Sequence, residues 1–180
     1  HDRFELLVPL GSGGFGVVWE GFDMLLERSV AVKELVVNDD DASDALREAR
    51  ATARLNHPAI VSIYEVLGEG DRIYMINELV HGQTLGDMIA AGELSDNDIG
   101  RIGYGLCEAL AHAHQQGVVH RDVKPANVMV TTDWLEGSGG WRVQPAKLMD
   151  FGIASIVDGS DFGHGPHAGS RGYMAPEQIA

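Results

Sequence analysis

Through the first eighty positions the apolar residues come in short runs, and beyond them the spacing turns helical. Phe4 to Leu10, Gly16 to Phe22 and Ser29 to Val36 are apolar runs rich in Val with aromatic punctuation, the pattern of β-strands. Pro9 has no amide hydrogen to donate, which suits an edge strand. From Ser43 to Leu55, the residues Ala45, Leu46, Ala49 and Ala53 form one apolar stripe at helical spacing, and His57-Pro58 ends it. Val61 to Leu67 and Arg72 to Leu79 then read as a hairpin across Gly68-Glu69-Gly70-Asp71. The first part therefore predicts a small five-stranded sheet with one helix.

After His81-Gly82, Thr84 to Ala91 predicts a short helix. Ser95 with Asp98 three positions on is a capping signal, and Ile99, Ile102, Leu106, Leu110 and Ala113 continue helically to Gly117. Gly100, Gly103 and Gly105 each weaken such a helix by about 1 kcal/mol relative to Ala, a cost that close helix packing would explain. Val118-Val119 and Val128 to Val130 read as short strands around a polar segment. Thr131 to Ala146 is long for a hairpin loop. It carries a flexible tip, Gly137-Ser138-Gly139-Gly140, with Trp134 and Trp141 placed to clamp its base. There is no internal repeat.

The chain has 180 residues, 44% hydrophobic and 22% charged, an ordinary soluble globular composition. Its net charge of −14 argues against a nucleic-acid or anionic-membrane binder. It does not argue against a phosphate ligand. Exposed charges are screened over about 8 Å, whereas a cation about 4 Å from a phosphate oxygen is worth roughly 4 kcal/mol at an effective dielectric of 20. A few placed cations outweigh a diffuse acidic surface. Cys107 is the single cysteine, so a reducing, cytoplasmic setting is expected, with Cys107 as a buried small hydrophobe. No apolar run approaches the roughly 18 residues that span a bilayer, so no membrane segment or signal peptide is expected.

Gly11-Ser12-Gly13-Gly14-Phe15-Gly16 lies between two strands, where backbone N–H groups can approach a phosphate closely because no Cβ intervenes. A dinucleotide fold would open a helix after such a turn, but Val17-Val18-Trp19 continues as strand, and no Gly-Lys-Ser/Thr ends the turn as in a P-loop. Lys33, in Val30-Ala31-Val32-Lys33, sits in a strand that lets its ammonium reach inward, where it needs a carboxylate to stay charged. His120-Arg121-Asp122-Val123-Lys124-Pro125-Ala126-Asn127 places a carboxylate, an ammonium and an amide within six residues. Asp150-Phe151-Gly152 and Ala175-Pro176-Glu177 follow.

In this order, the five motifs resemble the eukaryotic-type serine/threonine protein kinases, and Leu55-Asn56-His57-Pro58-Ala59-Ile60-Val61 is similar to their bacterial members. The resemblance implies an α+β, bilobal fold. Residues 1–80 would form the ATP-binding small lobe, a five-stranded antiparallel sheet plus one helix. Residues 81–180 would form part of a helical large lobe with the catalytic loop and activation segment, truncated after Ala175-Pro176-Glu177. The implied reaction moves the γ-phosphate of ATP, with Mg2+, to Ser or Thr hydroxyls of proteins.

Residue by residue, the resemblance implies nucleotide contacts from the turn (Gly11, Ser12, Gly13, Gly14, Phe15 and Gly16) with Phe15 capping the phosphates. Leu10, Val18 and Ala31 would line the adenine pocket, Glu78 and Val80 would offer backbone groups to adenine, and Met129 joins this nucleotide-binding set. Lys33 would pair with Glu48 of the small-lobe helix; the alternative is a solvated Glu48 beside Arg47, Arg50 or Arg54. Asp122 would act as base or orient the substrate hydroxyl, and Lys124, typical of serine/threonine kinases, would neutralise the moving phosphoryl group. Asn127 and Asp150 would ligate Mg2+, which favours hard oxygen donors. Lys33, Asp122, Asn127 and Asp150 would thus gather around one triphosphate. His120 would pack under Phe151 as a structural histidine.

Several positions depart from the pattern or leave alternatives open. Asn77 falls where an apolar gatekeeper is usual, and a polar residue there costs affinity unless its amide finds a partner. Arg121 is similar to the subgroup controlled by phosphorylation of the activation segment, yet Asp150 to Glu177 holds no threonine. Ser170 takes the place of the usual threonine, which leaves Ser160 as a regulatory candidate against a plain loop serine. His164 and His167 lack partners at metal-ligand spacing, and His112 and His114, two apart on a helix, cannot share a face. Aminoglycoside and choline kinases typically carry His-Gly-Asp and no Ala-Pro-Glu, so Arg121 and Ala175-Pro176-Glu177 disfavour them. A non-enzymatic reading, a nucleotide-binding pseudokinase or scaffolding fragment, rests on the further helices that the resemblance expects beyond Ala180. The chain opens on His1 and not Met, so a cut from something longer is expected; the bacterial kinases it resembles are often joined to a membrane-anchored sensor.

Overall fold

The computed structural model describes residues 3–13, 16–37, 42–135, 144–151 and 172–173. Two compact units emerge: His1–Arg54 with Ser62–Leu79, and Leu55–Val61 with Val80–Phe151.

The first unit is a five-stranded antiparallel sheet. Its strands are β1 (Phe4–Gly13), β2 (Gly16–Asp23), β3 (Arg28–Val36), β4 (Ile63–Glu69) and β5 (Arg72–Glu78), in the order β1-β2-β3-β5-β4. The five predicted strands are all present. β1 is an edge strand, as Pro9 suggested, and runs on to Gly13 because it stays paired with β2 into the glycine turn. Alternation gives the sheet two apolar faces. Val30, Val32 and Ile76 bury against Phe4, Trp19 and Tyr74 on one side. Leu35, Val37, Ile73 and Met75 bury on the other against α1 (Ala42–Thr52) through Ala45 and Ala49. Thr52, not Ala53, completes the buried stripe of α1. Its hydroxyl donates to the Glu48 carbonyl at 3.1 Å, which satisfies the buried oxygen.

A contact without any motif closes the start of this unit. Asp23, fully buried at the end of β2, accepts two hydrogen bonds from Arg3, at 2.9 and 2.7 Å, and further ones from the Leu25 and Leu26 amides. Arg3 also reaches Glu65 on β4 at 2.7 Å. The Arg3 hydrogen bonds hold the Asp23 carboxyl down at about 2 against the opposing effect of burial.

The second unit contains α2 (Leu85–Ala91), α3 (Asp96–Gln115), a 3-10 turn at Pro125–Asn127 and α4 (Thr132–Leu135). It also has a three-stranded sheet, β6 (Gly82–Thr84), β7 (Val128–Thr131) and β8 (Ala146–Leu148), in the order β6-β7-β8. Ser95 and Asp98 form the complete reciprocal capping box, which stabilises α3 by about 1 kcal/mol. Thr84 caps α2, and Gly92, at φ 69°, ends it in the left-handed conformation. The core is built from Met88, Ile102, Ala109, Val128, Val130 and Leu148, joined by Leu55, Ala59 and Ile60.

Four expectations need correction here. Val118-Val119 is not a strand: after Gly117, at φ 75°, the Val118 amide turns back onto the Ala113 carbonyl at 2.9 Å as part of the helix end. The β7–β8 connection opens with α4 instead of loop, because Trp134 packs on the core beneath the Arg101 guanidinium, 5.7 Å from its ring. The glycine tip and Trp141 lie outside the described residues. Close packing explains none of the three helical glycines: a Cβ on Gly105 would meet only the end of the flexible Gln144 side chain, which can move aside, and Gly100 and Gly103 have nothing within 4 Å. Cys107 is exposed, because the buried side of α3 runs through Ile102, Gly105, Ala109 and Ala113, and position 107 faces away from it. Among the described residues no helix is long and apolar enough to cross a membrane.

Candidate active site

The glycine turn is set by backbone geometry. Gly16 has φ 116°, and a Cβ on it would stand 1.9 Å from the Glu34 carbonyl oxygen, so only glycine lets β2 start alongside β3. Gly11 meets nothing within 4 Å. Gly16→Ala is therefore expected to cost about 1–3 kcal/mol of stability, and Gly11→Ala far less, as read from urea denaturation midpoints. Gly14 and Phe15 lie outside the described residues.

Strand register decides which of the predicted nucleotide residues share a face. Val18 lies opposite Lys33, Lys33 opposite Met75, and Ala31 opposite Asn77. Directly opposed residues project to the same side, and Met75 packs with α1, so Val18, Ala31 and Lys33 line the α1 side of the sheet. Lys33 is 5% exposed there, and Glu48 is half-buried on α1. Leu10 is exposed on β1. Asn77 does find a partner: its side-chain Nδ2 donates to the Met75 carbonyl at 3.3 Å. Glu78 is tied to Ser62 by its amide, at 2.8 Å, and by its carboxylate, at 3.2 Å. Val80 is half-buried, and so is Met129, which sits in β7 between Thr84 and Lys147.

The second unit holds the segment from His120 to Asn127. Asp122 and Asn127 are buried. Lys124 Nζ lies 2.7 Å from Asp122 Oδ2. Asn127 Nδ2 donates to the Asp122 carbonyl at 2.8 Å and to Asp122 Oδ2 at 3.1 Å. Both partners are acceptors, so the amide nitrogen must face Asp122 and the amide oxygen must point the other way. The turn itself is closed by the Asn127 amide on the Lys124 carbonyl at 2.9 Å.

Three contacts stitch this loop to Met149 and Phe151, the residues on either side of Asp150 just past β8. The Met149 amide donates to the Asn127 carbonyl at 2.9 Å, His120 Nε2 meets the Met149 carbonyl at 2.9 Å, and the His120 and Phe151 rings lie 4.5 Å apart. This is the packing expected of a structural His120. Arg121 and Asp150 both have positive φ, 66° and 65°, a conformation that costs non-glycine residues about 1 kcal/mol or more. The stitching holds them there. The His120–Phe151 contact was expected, but no residue name signalled the two hydrogen bonds to Met149, because they run through its backbone amide and carbonyl.

His120 is 1% exposed, and the Asp122 amide donates to its Nδ1 at 3.2 Å. Nδ1 therefore carries no proton, and Nε2–H donates to Met149: the ring is neutral. Burial pushes its pKa below the ordinary value, against the smaller opposing pull of the Met149 bond and the Asp150 and Asp122 charges. Because the folded pKa is depressed, the neutral ring favours folding above about pH 6.5, and this contribution falls as pH drops through the folded pKa. An NMR titration of the His120 ring is expected to give a midpoint below about 6.5; a midpoint at or above that value contradicts the assigned tautomer.

A carboxylate, an ammonium and an oriented amide on one short loop, stitched to a second carboxylate, suit the handling of a metal-bound phosphate. Comparisons with known proteins give the family. Residues 4–180 match the protein kinase domain model, and the chain belongs to that family. It is 38% identical to a probable serine/threonine-protein kinase of Corynebacterium efficiens, covering 98% of this chain and 27% of the relative. It is 36% identical to serine/threonine-protein kinase PrkC of Bacillus subtilis, covering 98% and 26%, and 37% identical to PknA of Mycobacterium tuberculosis, covering 98% and 41%. The chain thus spans about a quarter of the length of the first two. The activation-segment residues Ser160, His164, His167, Ser170 and Ala175-Pro176-Glu177 lie outside the described residues.

Proposed function

We propose that the chain is the catalytic part of a serine/threonine protein kinase, transferring the γ-phosphate of ATP to Ser or Thr hydroxyls of proteins. The observation that carries this reading is the Asp122 carboxylate, buried and fixed by Lys124 and Asn127. Phosphoryl transfer asks mainly for positioning and charge stabilisation. In this reading Asp122 orients the incoming hydroxyl and takes its proton. Lys124, beside it, offsets charge on the phosphoryl oxygens and marks hydroxyl-directed, serine/threonine chemistry. Lys33 holds the phosphates, Glu48 keeps that ammonium in place, and the glycine turn with Leu10, Val18 and Ala31 holds the nucleotide.

The donor set fits magnesium. The Asn127 amide oxygen, turned away from Asp122, and the Asp150 carboxylate are both hard oxygen donors. When bound, the ion would neutralise phosphate charge. The ATP requirement and the single cysteine favour a cytoplasmic setting.

The test is phosphotransfer from labelled Mg-ATP to a generic protein substrate, followed by phosphoamino-acid analysis. Phosphoserine and phosphothreonine are expected, with transfer lowered by about 100-fold or more in Lys33→Met. ATP binding without transfer, indifferent to both Lys33→Met and Asp122→Asn, would leave a nucleotide-binding module in place of an enzyme.

A further inference from the structure

His57 and His112 face each other where the 55–61 segment packs on α3, their ring centroids 5.4 Å apart and their planes tilted by 32°. The His57 ring has a reason to be neutral. His57 Nδ1 accepts the Ala59 amide hydrogen at 3.2 Å, so that nitrogen holds no proton. His112 Nε2 is buried with no hydrogen-bond partner among the described residues. The charged groups acting on His57 both come from α3. His112 disfavours the imidazolium, and Glu108, bonded to the Tyr104 hydroxyl at 2.9 Å, favours it. Burial and His112 outweigh Glu108, so the His57 pKa lies below its ordinary value.

The same short segment braces the strand that leads into Asp150. The Leu148 amide donates to the Ala59 carbonyl at 2.8 Å, and the Val61 amide donates to the Leu148 carbonyl at 2.9 Å, forming a parallel bridge between Ile60 and Leu148. The Ile60 amide closes back on the His57 carbonyl at 2.9 Å. Asp150 lies two residues past Leu148.

We propose that His57, seated against His112, forms a proton-sensitive latch: while its ring is neutral it holds residues 57–61 against α3, and with them the Leu148 strand. A proton on His57 Nδ1 would set one N–H against the Ala59 N–H and remove that hydrogen bond. The charged His57 ring would also lie against His112, which disfavours its imidazolium. Because the His57 pKa is depressed in the folded chain, the latch is closed above about pH 6.5 and opens as pH falls below it.

Backbone hydrogen exchange on the chain tests this. Between about pH 7.5 and 5.5, protection of the Val61 and Leu148 amides, corrected for the intrinsic pH dependence of exchange, is expected to fall about ten-fold. In His57→Asn, a side-chain oxygen still accepts the Ala59 N–H but does not titrate, and the fall is expected to shrink to within about two-fold. His112→Phe keeps a ring against His57 but removes the group that disfavours its imidazolium, so the fall is expected to persist with its midpoint moved to higher pH, and this serves as the second variant. His120 is intact in both, so a full acid response retained in His57→Asn assigns the effect to His120 and overturns the proposal. Unchanged protection in the unmodified chain overturns it as well.

Discussion

Asp122→Asn is expected to lower the rate of phosphotransfer by about 1,000-fold while leaving the fold and nucleotide affinity nearly unchanged. The substitution is close to isosteric. The new amide oxygen can take the place of Oδ2 and still accept from Lys124 Nζ and Asn127 Nδ2, which hold that atom now at 2.7 and 3.1 Å. What disappears is the negative charge that would draw the proton from a substrate hydroxyl. Single-turnover assays with saturating Mg-ATP measure the rate, and calorimetric titration with nucleotide measures the affinity. A rate within about ten-fold of the unmodified chain would remove Asp122 from the role assigned to it.

Leu148→Ala is expected to destabilise the second unit by about 2–5 kcal/mol. Leu148 is fully buried in the cluster with Val128, Val130 and Ile60, and the loss combines transfer free energy with the cavity left behind. Alanine keeps the backbone bonds to Ala59 and Val61, so the substitution isolates side-chain packing from the bridge itself. Met149 and Asp150 follow directly, so the bonds between Met149 and both His120 and Asn127 are expected to weaken together. Urea denaturation measures the effect, with Leu25→Ala as control. Leu25 is 71% exposed, and its truncation is expected to change stability by no more than about 0.5 kcal/mol. Equal effects of the two substitutions would contradict the placement of Leu148 in the core.

Much of the fold was legible because it is local. The five strands, α1 and the capped start of α3 follow from apolar spacing and from side chains that bond within three residues of themselves, as Ser95 and Asp98 do. The misreadings arose where a distant partner overrode a local pattern. Two valines after a helix look like a strand, yet the Val118 amide turns back to Ala113. Cys107 lies in an apolar stretch, yet the buried face of α3 is chosen by what packs on it. The helical start of the β7–β8 connection depends on Trp134 reaching the core and Arg101. The predicted site residues were likewise legible as an order of motifs, but not their protonation or orientation.

The amino-acid order by itself determined the kinase motifs, the two styles of secondary structure and the acidic, single-cysteine character of the chain, since each is a matter of residue type and near-neighbour spacing. Only the tertiary structure decided that His120 is neutral, that the Asn127 amide turns its nitrogen toward Asp122, and that Arg3 holds Asp23 ionised. Burial and hydrogen-bond partners set these states. The partners of His120 and Asp23 include groups 29 and 20 residues away along the chain, a separation that no local pattern records.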